Sequence, residues 1–144
     1  MIRFTMLAIS VLLIATSARA QGQTPVGTWL HANGRIRVQI SPCGVQLCGT
    51  IVWFRWPNDA SGRPLVDSKN PSPALRARPL LGLRVLSGLR RSAGGSWGGG
   101  KIYNPDDGVS YNAILSVLAN GTLRVRAYIG LTLLGQTQIW TRIN

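Results

Sequence analysis

The sequence predicts an all-β fold, an eight-stranded antiparallel up-and-down barrel. Short β-branched or alternating runs recur along residues 27–143, and turn residues interrupt them about every 8–12 positions. Helical periodicity is almost absent. Strands joined in sequence by short turns can close into a barrel, which removes exposed sheet edges. A two-sheet sandwich is the alternative, and the two folds differ in whether the first and last strands pair.

Residues 1–20 have the features of a cleaved secretory signal peptide. Arg3 precedes an apolar run, residues 4–15, that is too short to span a bilayer comfortably. Ala18-Arg19-Ala20 matches the small-x-small cleavage pattern. A membrane anchor is the alternative. We expect residues 21–144 to be a single mature domain without a transmembrane segment, periplasmic or secreted in a bacterium.

The first three predicted strands cover residues 27–31, 35–40 and 48–54. Asn33-Gly34 lies between the first two and is a strong hairpin signal. Residues 35–40 alternate between polar and apolar, which predicts one inward face. The long irregular segment that follows the third strand, residues 55–79, contains five of the eight prolines.

Cys43 and Cys48 most simply form one disulfide, because the chain is expected to be exported and has two cysteines. The four residues between them suit a hairpin turn whose register the bridge would fix. A zinc site would need further ligands, and a redox-active pair would use the C-x-x-C spacing.

One short helix is predicted inside the long segment, with Ser72 at the N-cap and Pro73 at the first helical position. The segment is expected to lie over one mouth of the barrel or to pack on its wall. Asp59 and Asp67 within it are expected to hold turns or to pair with arginine.

The remaining strands are predicted at residues 83–89, 97–103, 109–118, 122–129 and 135–143. Asn120-Gly121 repeats the hairpin signal. Gly98-Gly99-Gly100 predicts a sharply coiled strand corner, with close approach of a ligand or a neighbouring strand as the alternative.

Composition restricts the chemistry that the chain can perform. It has 16 Lys and Arg, four Asp, no Glu and one His, and a formal net charge of +12. Most acid–base and metal-binding sites cannot be assembled from these residues, so we predict no catalytic residue, no metal and no cofactor. The protein is not expected to be an enzyme. Nucleic acid is not expected as a partner, because an exported protein does not meet it.

Aromatic and arginine side chains are the candidate ligand-binding residues. Aromatic walls with a few polar groups suit small-molecule sites, whereas in a small barrel the same residues often fill the core. Arginines near a mouth would attract an acidic head group or the phosphates of anionic lipid, and a solvated basic face is the alternative. The candidates are Trp53, Trp56, Arg76, Arg78, Arg84, Trp97, Tyr103, Tyr111 and Tyr128.

Gly27-Thr28-Trp29 resembles the G-x-W pattern on the first strand of lipocalin-type barrels. There the Trp closes one end of the barrel, and a basic side chain from the last strand packs on its ring. The resemblance implies a cation–π contact between Trp29 and Arg142. Gly27, Trp29, Trp140 and Arg142 are therefore expected to be structural, with an ordinary core Trp as the alternative.

Motifs along most of the mature chain carry a wider resemblance. They are Gly27-Thr28-Trp29, Cys43, Cys48-Gly49-Thr50-Ile51-Val52-Trp53, Asn70-Pro71, Arg78-Pro79-Leu80-Leu81-Gly82-Leu83, Trp97-Gly98-Gly99-Gly100-Lys101-Ile102-Tyr103-Asn104-Pro105 and Leu133-Leu134-Gly135-Gln136-Thr137-Gln138-Ile139-Trp140-Thr141-Arg142. Through these motifs the chain resembles the bacterial exported family called domain of unknown function 2147. The resemblance implies a small lipocalin-like barrel and no established activity.

Two functions are expected from these features. The first is binding of a small apolar or amphipathic ligand, with an acidic head group as one option. The second is a cell-envelope accessory module that binds anionic lipid or a protein partner through its arginine-rich surface. An internal cavity of a few hundred Å³ would favour the first function, and a filled interior would favour the second.

Overall fold

The computed structural model describes residues 23–144, so the predicted signal peptide lies outside the described residues. Eight antiparallel strands follow one another around a closed barrel. The pairing of the first strand with the last confirms a barrel rather than a sandwich. The strands are β1 (Gly27–Leu30), β2 (Ile36–Cys43), β3 (Gln46–Phe54), β4 (Arg84–Arg91), β5 (Trp97–Asn104), β6 (Val109–Val117), β7 (Leu123–Tyr128) and β8 (Gly135–Ile143).

The predicted disulfide joins Cys43 to Cys48 across the β2–β3 hairpin, with their Cα atoms 5.8 Å apart. The turn is shorter than predicted. The antiparallel pairing continues past both cysteines to Cys43 and Gln46. Only Gly44-Val45 remains as the turn, and the positive φ of Gly44 suits a two-residue hairpin connection.

The two ends of the barrel differ. The turns β2–β3, β4–β5 and β6–β7 lie at one end, here called the closed end, where apolar side chains fill the interior. The connections β1–β2, β3–β4, β5–β6 and β7–β8 lie at the other, here called the open end. The buried side chains toward the closed end include Trp29, Ile40, Leu47, Leu89, Leu115 and Leu123.

A clamp between Arg142 and Trp29 seals the closed end. The guanidinium carbon of Arg142 lies 4.2 Å from the centroid of the Trp29 ring, which is the cation–π contact that the G-x-W pattern implies. Arg142 also donates hydrogen bonds of 3.0 Å to the carbonyl oxygens of Val26 and Thr24. The Trp29 indole N–H donates to the Pro25 carbonyl at 2.8 Å. The segment before β1 is thereby held across the base of the barrel.

Glycines form the predicted corner in β5. The β5–β6 register shifts between Trp97 and Gly100, and Gly99 has a φ of +70°. A Cβ on Gly100 would collide with the Ser87 carbonyl oxygen of β4. The backbone of the neighbouring strand, β4, therefore approaches β5 closely at Gly100.

The β3–β4 connection packs on the barrel wall. It contains a single 3-10 turn, Pro73–Leu75, which is shorter than the predicted helix. Ser72 occupies the N-cap position, but its side chain makes no capping hydrogen bond. Isolated bridges at Asn58–Pro64 and Val66–Pro79 hold the rest of the segment. Within residues 23–144, no helix has the length and apolar character needed to cross a membrane.

Gly27→Ala is expected to lower the free energy of unfolding by about 1–3 kcal/mol. Gly27 has a φ of +141°, and a Cβ there would lie 2.5 Å from a guanidinium nitrogen of Arg142. The substitution therefore strains the backbone and displaces the clamp. Urea denaturation measures the effect. Gly94→Ala is the matched control, because a Cβ at Gly94 meets nothing within 4 Å; equal losses in the two variants would contradict the role of the clamp.

Candidate ligand-binding site

A cavity of about 680 Å³ occupies the open half of the barrel. This volume lies within the range of small-molecule sites. Strand residues from mid-barrel to the rim form its wall, and residues from all four open-end connections complete it. The apolar lining residues are Ile36, Val38, Ile51, Phe54, Leu80, Val85, Ile102, Pro105, Val125, Ala127, Ile129, Leu134 and Trp140.

Neutral polar groups line one side of the cavity. Gln136, Gln138 and Trp140 lie on the inward face of β8, because side chains alternate along a strand. The Gln138 side-chain oxygen accepts a 3.1 Å hydrogen bond from the Trp140 indole N–H. The Gln136 side chain is exposed at the mouth. These amides can donate and accept hydrogen bonds at the polar end of a ligand.

His31 lines the cavity beside the β1–β2 hairpin. Its ring lies 5.3 Å from the Trp140 ring, centroid to centroid, and its Nδ1 accepts a 3.1 Å hydrogen bond from the Asn33 backbone N–H. Burial lowers the pKa of His31, and this outweighs opposing contributions from Asn33 and the Asp106 carboxylate. The ring is therefore neutral at pH 7. Contact with the Trp140 ring leaves the His31 side chain only partly exposed.

Two carboxylates, Asp106 and Asp107, lie on the β5–β6 turn at the mouth. Asp107 accepts a 2.5 Å hydrogen bond from the Tyr111 hydroxyl and a 2.9 Å bond from the Val109 backbone N–H. The hydrogen bond to Asp107 raises the pKa of Tyr111. No arginine or lysine is among the residues that line the cavity in the described part of the chain. The cavity is therefore neutral inside and acidic at its rim, although the protein is strongly basic.

The structure brings together three of the nine predicted ligand-binding residues, all of them tyrosines. Tyr103, Tyr111 and Tyr128 line the cavity. Trp97 instead packs against the core. Trp53 lies outside, with the Arg37 guanidinium 4.3 Å from its ring centroid.

The other predicted residues also lie outside the cavity. Trp56 is 59% exposed, and the guanidinium groups of Arg35 and Arg55 approach its ring. Arg78 and Arg84 line a shallow groove on the outer wall. The Nε–H of Arg76 donates to the carbonyl of Asn70 at 2.8 Å.

A buried carboxylate ties the β3–β4 connection to the barrel. Asp67 is fully buried, and it accepts hydrogen bonds from the Tyr103 hydroxyl at 2.6 Å, from Arg78 at 2.8 Å and from Asn70 at 2.9 Å. Burial alone would raise the pKa of Asp67, but these three donors outweigh it and lower the pKa. The predicted pairing of the loop aspartates with arginine is confirmed, since Asp67 pairs with Arg78 and Asp59 with Arg63. The network positions the Tyr103 ring in the cavity wall.

Residues 27–142 match the family described as "Uncharacterized protein conserved in bacteria (DUF2147)". The chain belongs to this family. No curated protein matches the chain significantly.

A solved structure from Helicobacter pylori, protein HP1028, is described as belonging to the lipocalin family. It is similar to this chain with a TM-score of 0.69 and 25% sequence identity. The similarity covers 83% of this chain and 82% of that one. Together with the closed eight-stranded barrel, this similarity establishes a lipocalin-like fold for this DUF2147 protein.

Asp67→Asn is expected to lower the free energy of unfolding by about 2–3 kcal/mol, because it removes the charge that satisfies Arg78 inside a buried network. Tyr103→Phe should cost about 1–2 kcal/mol, since the hydroxyl loses the hydrogen bond that it donates to Asp67 and a longer one that it accepts from Asn70. Asp59→Asn is the control in the same segment, where the pair with Arg63 is solvent-exposed and contributes little to stability. Chemical denaturation of the three variants tests the order. A loss at Asp59 equal to that at Asp67 would contradict it.

Stability is expected to fall as the pH drops below about 6.5, the pKa of an unperturbed histidine. Burial lowers the pKa of His31 in the folded protein, so the unfolded chain binds a proton first on acidification. His31 is the only histidine in the chain. His31→Gln should therefore flatten the decline in urea midpoint between pH 7.5 and 5.5. An identical decline of the urea midpoint in the parent protein and in this variant would show that folding does not change the pKa of His31.

Proposed function

We propose that this protein binds a small, mainly apolar ligand in the open half of its barrel, without catalysing a reaction. The observation that carries the proposal is the cavity of about 680 Å³, whose wall consists mainly of aliphatic and aromatic side chains. The lipocalin-like fold supports the same function. The predicted leader, the disulfide and the bacterial family support a periplasmic or secreted site of action.

The lining supports a neutral or basic polar end for the ligand. The arginines that the sequence offered for an acidic head group, Arg76, Arg78 and Arg84, lie outside the cavity. An anionic group inside would have amides and the neutral His31 as its polar partners, with Asp106 and Asp107 at the entrance. Desolvating a charge without an opposite charge is costly, and carboxylates at the entrance repel an anion.

Two dyes that differ by one sulfonate test this proposal. N-phenyl-1-naphthylamine is uncharged, and 8-anilino-1-naphthalenesulfonate has the same ring system with a negative charge. The uncharged dye is expected to bind at least about tenfold more tightly, because the sulfonate finds no cationic partner in the cavity. Fluorescence titration gives both dissociation constants. Tighter binding of the sulfonate would overturn the proposed charge class.

Ala127→Phe tests whether the dye occupies the barrel. Ala127 lines the cavity wall, so a benzyl group there fills part of the space and should weaken binding of the uncharged dye by about tenfold or more. Ala119→Phe is the matched control, since Ala119 is exposed on the β6–β7 turn at the closed end. Circular dichroism checks that both variants fold. Unchanged binding by a folded Ala127→Phe variant would place the dye outside the cavity.

A further inference from the structure

The β7–β8 connection, residues 129–134, exposes an unusual amount of aliphatic surface. Four of its six residues have aliphatic side chains that are largely exposed: Ile129 at 60%, Leu131 at 68%, Leu133 at 86% and Leu134 at 67%. We call this segment the leucine loop. Single exposed aliphatic residues are ordinary on protein surfaces, but a contiguous group of them marks an interaction site.

The leucine loop has a defined shape. The Arg126 guanidinium donates from Nε and Nη2 to the Thr132 carbonyl, at 3.0 and 2.6 Å, and from Nη1 to the Thr137 hydroxyl at 3.0 Å. A backbone hydrogen bond of 3.0 Å from Leu134 to Leu131 closes the turn. The barrel therefore presents the leucines on a fixed hairpin, with a positive charge directly behind it.

The loop is continuous with the cavity. Ile129 and Leu134 line the cavity and are also exposed outside it. Leu131 and Leu133 lie between these two residues in the chain, and they are exposed without lining the cavity. The apolar interior thus meets the exterior at the leucine loop without an intervening polar barrier.

The size of the loop favours a lipid bilayer over a protein as its partner. A stable protein interface needs about 800 Å² and about 20–30 residues on each side. Six residues on a convex hairpin supply only a fraction of this. Insertion of a few aliphatic side chains among acyl chains needs no matching protein surface.

Charge complementarity selects an anionic bilayer. Residues 21–144 contain 14 Lys and Arg and four Asp, a formal net charge of +10, and basic residues near an anionic membrane surface contribute favourably to binding. The positive charge of Arg126, directly behind the leucines, adds to this attraction although its guanidinium is bonded within the loop. Asp106 and Asp107 lie at the same end of the barrel and oppose this attraction. Apolar insertion is therefore the main contribution, and charge assists it.

We infer that the leucine loop inserts into an anionic lipid bilayer and places the open end of the barrel against the membrane. The closed end, with the disulfide hairpin, then faces away from the lipid. A ligand of the proposed apolar class could pass between the acyl chains and the cavity along this surface. Membrane docking itself does not depend on whether the cavity takes a ligand.

Co-sedimentation with vesicles tests the inference. The protein is produced from residue 21, so that the apolar run at residues 4–15 does not contribute, and residues 23–144 contain every strand of the closed barrel. The vesicles contain phosphatidylethanolamine and phosphatidylglycerol at 3:1, or phosphatidylcholine alone. We expect stronger binding to the anionic vesicles, reduced but not abolished by 0.5 M salt.

The double variant Leu131→Ser, Leu133→Ser is expected to bind the anionic vesicles about tenfold more weakly. Val45→Ser is the matched control, because Val45 is 82% exposed on the β2–β3 turn at the closed end. Both variants change exposed side chains, so their unfolding midpoints should match the parent. Binding of N-phenyl-1-naphthylamine should also persist in the double variant, which separates docking from ligand binding.

Three results would overturn the inference. One is vesicle binding by the double variant that equals the parent. Another is an equal loss in Val45→Ser, which would mean that any exposed aliphatic group suffices. The third is the absence of vesicle binding by the parent, including the case in which gel filtration shows a dimer that the double variant abolishes. In that case the leucine loop would contact a second copy of the chain.

Discussion

Pairing of β1 with β8 is the constraint on which the rest of the structure depends. The ladder joins Trp29 to Arg142 directly, and the Arg142 guanidinium then lies over the Trp29 ring. The same guanidinium holds the carbonyls of Thr24 and Val26, so one side chain closes the sheet and seals its base. With that end sealed, the interior opens only toward the other four connections, and the cavity can exist there without exposing the core.

Charge is separated between the outside and the inside of this barrel. The described arginines do not line the cavity, and several of them contact carboxylates, carbonyl oxygens or aromatic faces on the outside of the barrel. Arg37, for example, covers the outer face of Trp53. The cavity keeps amides, a neutral His31 and hydroxyl groups, because a cation held in an apolar interior would need a counter-ion. A strongly basic protein thus contains a pocket with no arginine or lysine among its described lining residues.

Much of this fold could be predicted from the sequence, whereas most of the site could not. Alternation along residues 35–40 predicted one inward face of β2, where Val38 and Ile40 are buried, and the Asn-Gly turns placed the hairpins correctly. Side chains also alternate along β8. Counted from the buried Trp140, this alternation puts Gln136 and Gln138 inside the barrel, so the sequence contains a signal for these two lining residues. The placement of Trp56, Arg76 and Arg78 on the long connection had no such signal. Alternation along a strand decides on which face of the sheet a side chain lies. The path of a long connection depends instead on tertiary contacts such as those of Asp67.

The clamp at the base also has a consequence for how the barrel forms. Its hydrogen bond from Arg142 to Val26 joins residues 116 positions apart. Native contacts of such high contact order form late, because the loop they close is almost the whole domain. A nascent chain that emerges from its amino terminus therefore has unpaired edges on β1 and on the newest strand until β8 arrives. Until β8 pairs, these strand edges can pair with strands of other chains. The last ten residues, which contain β8, cover both edges and close the barrel.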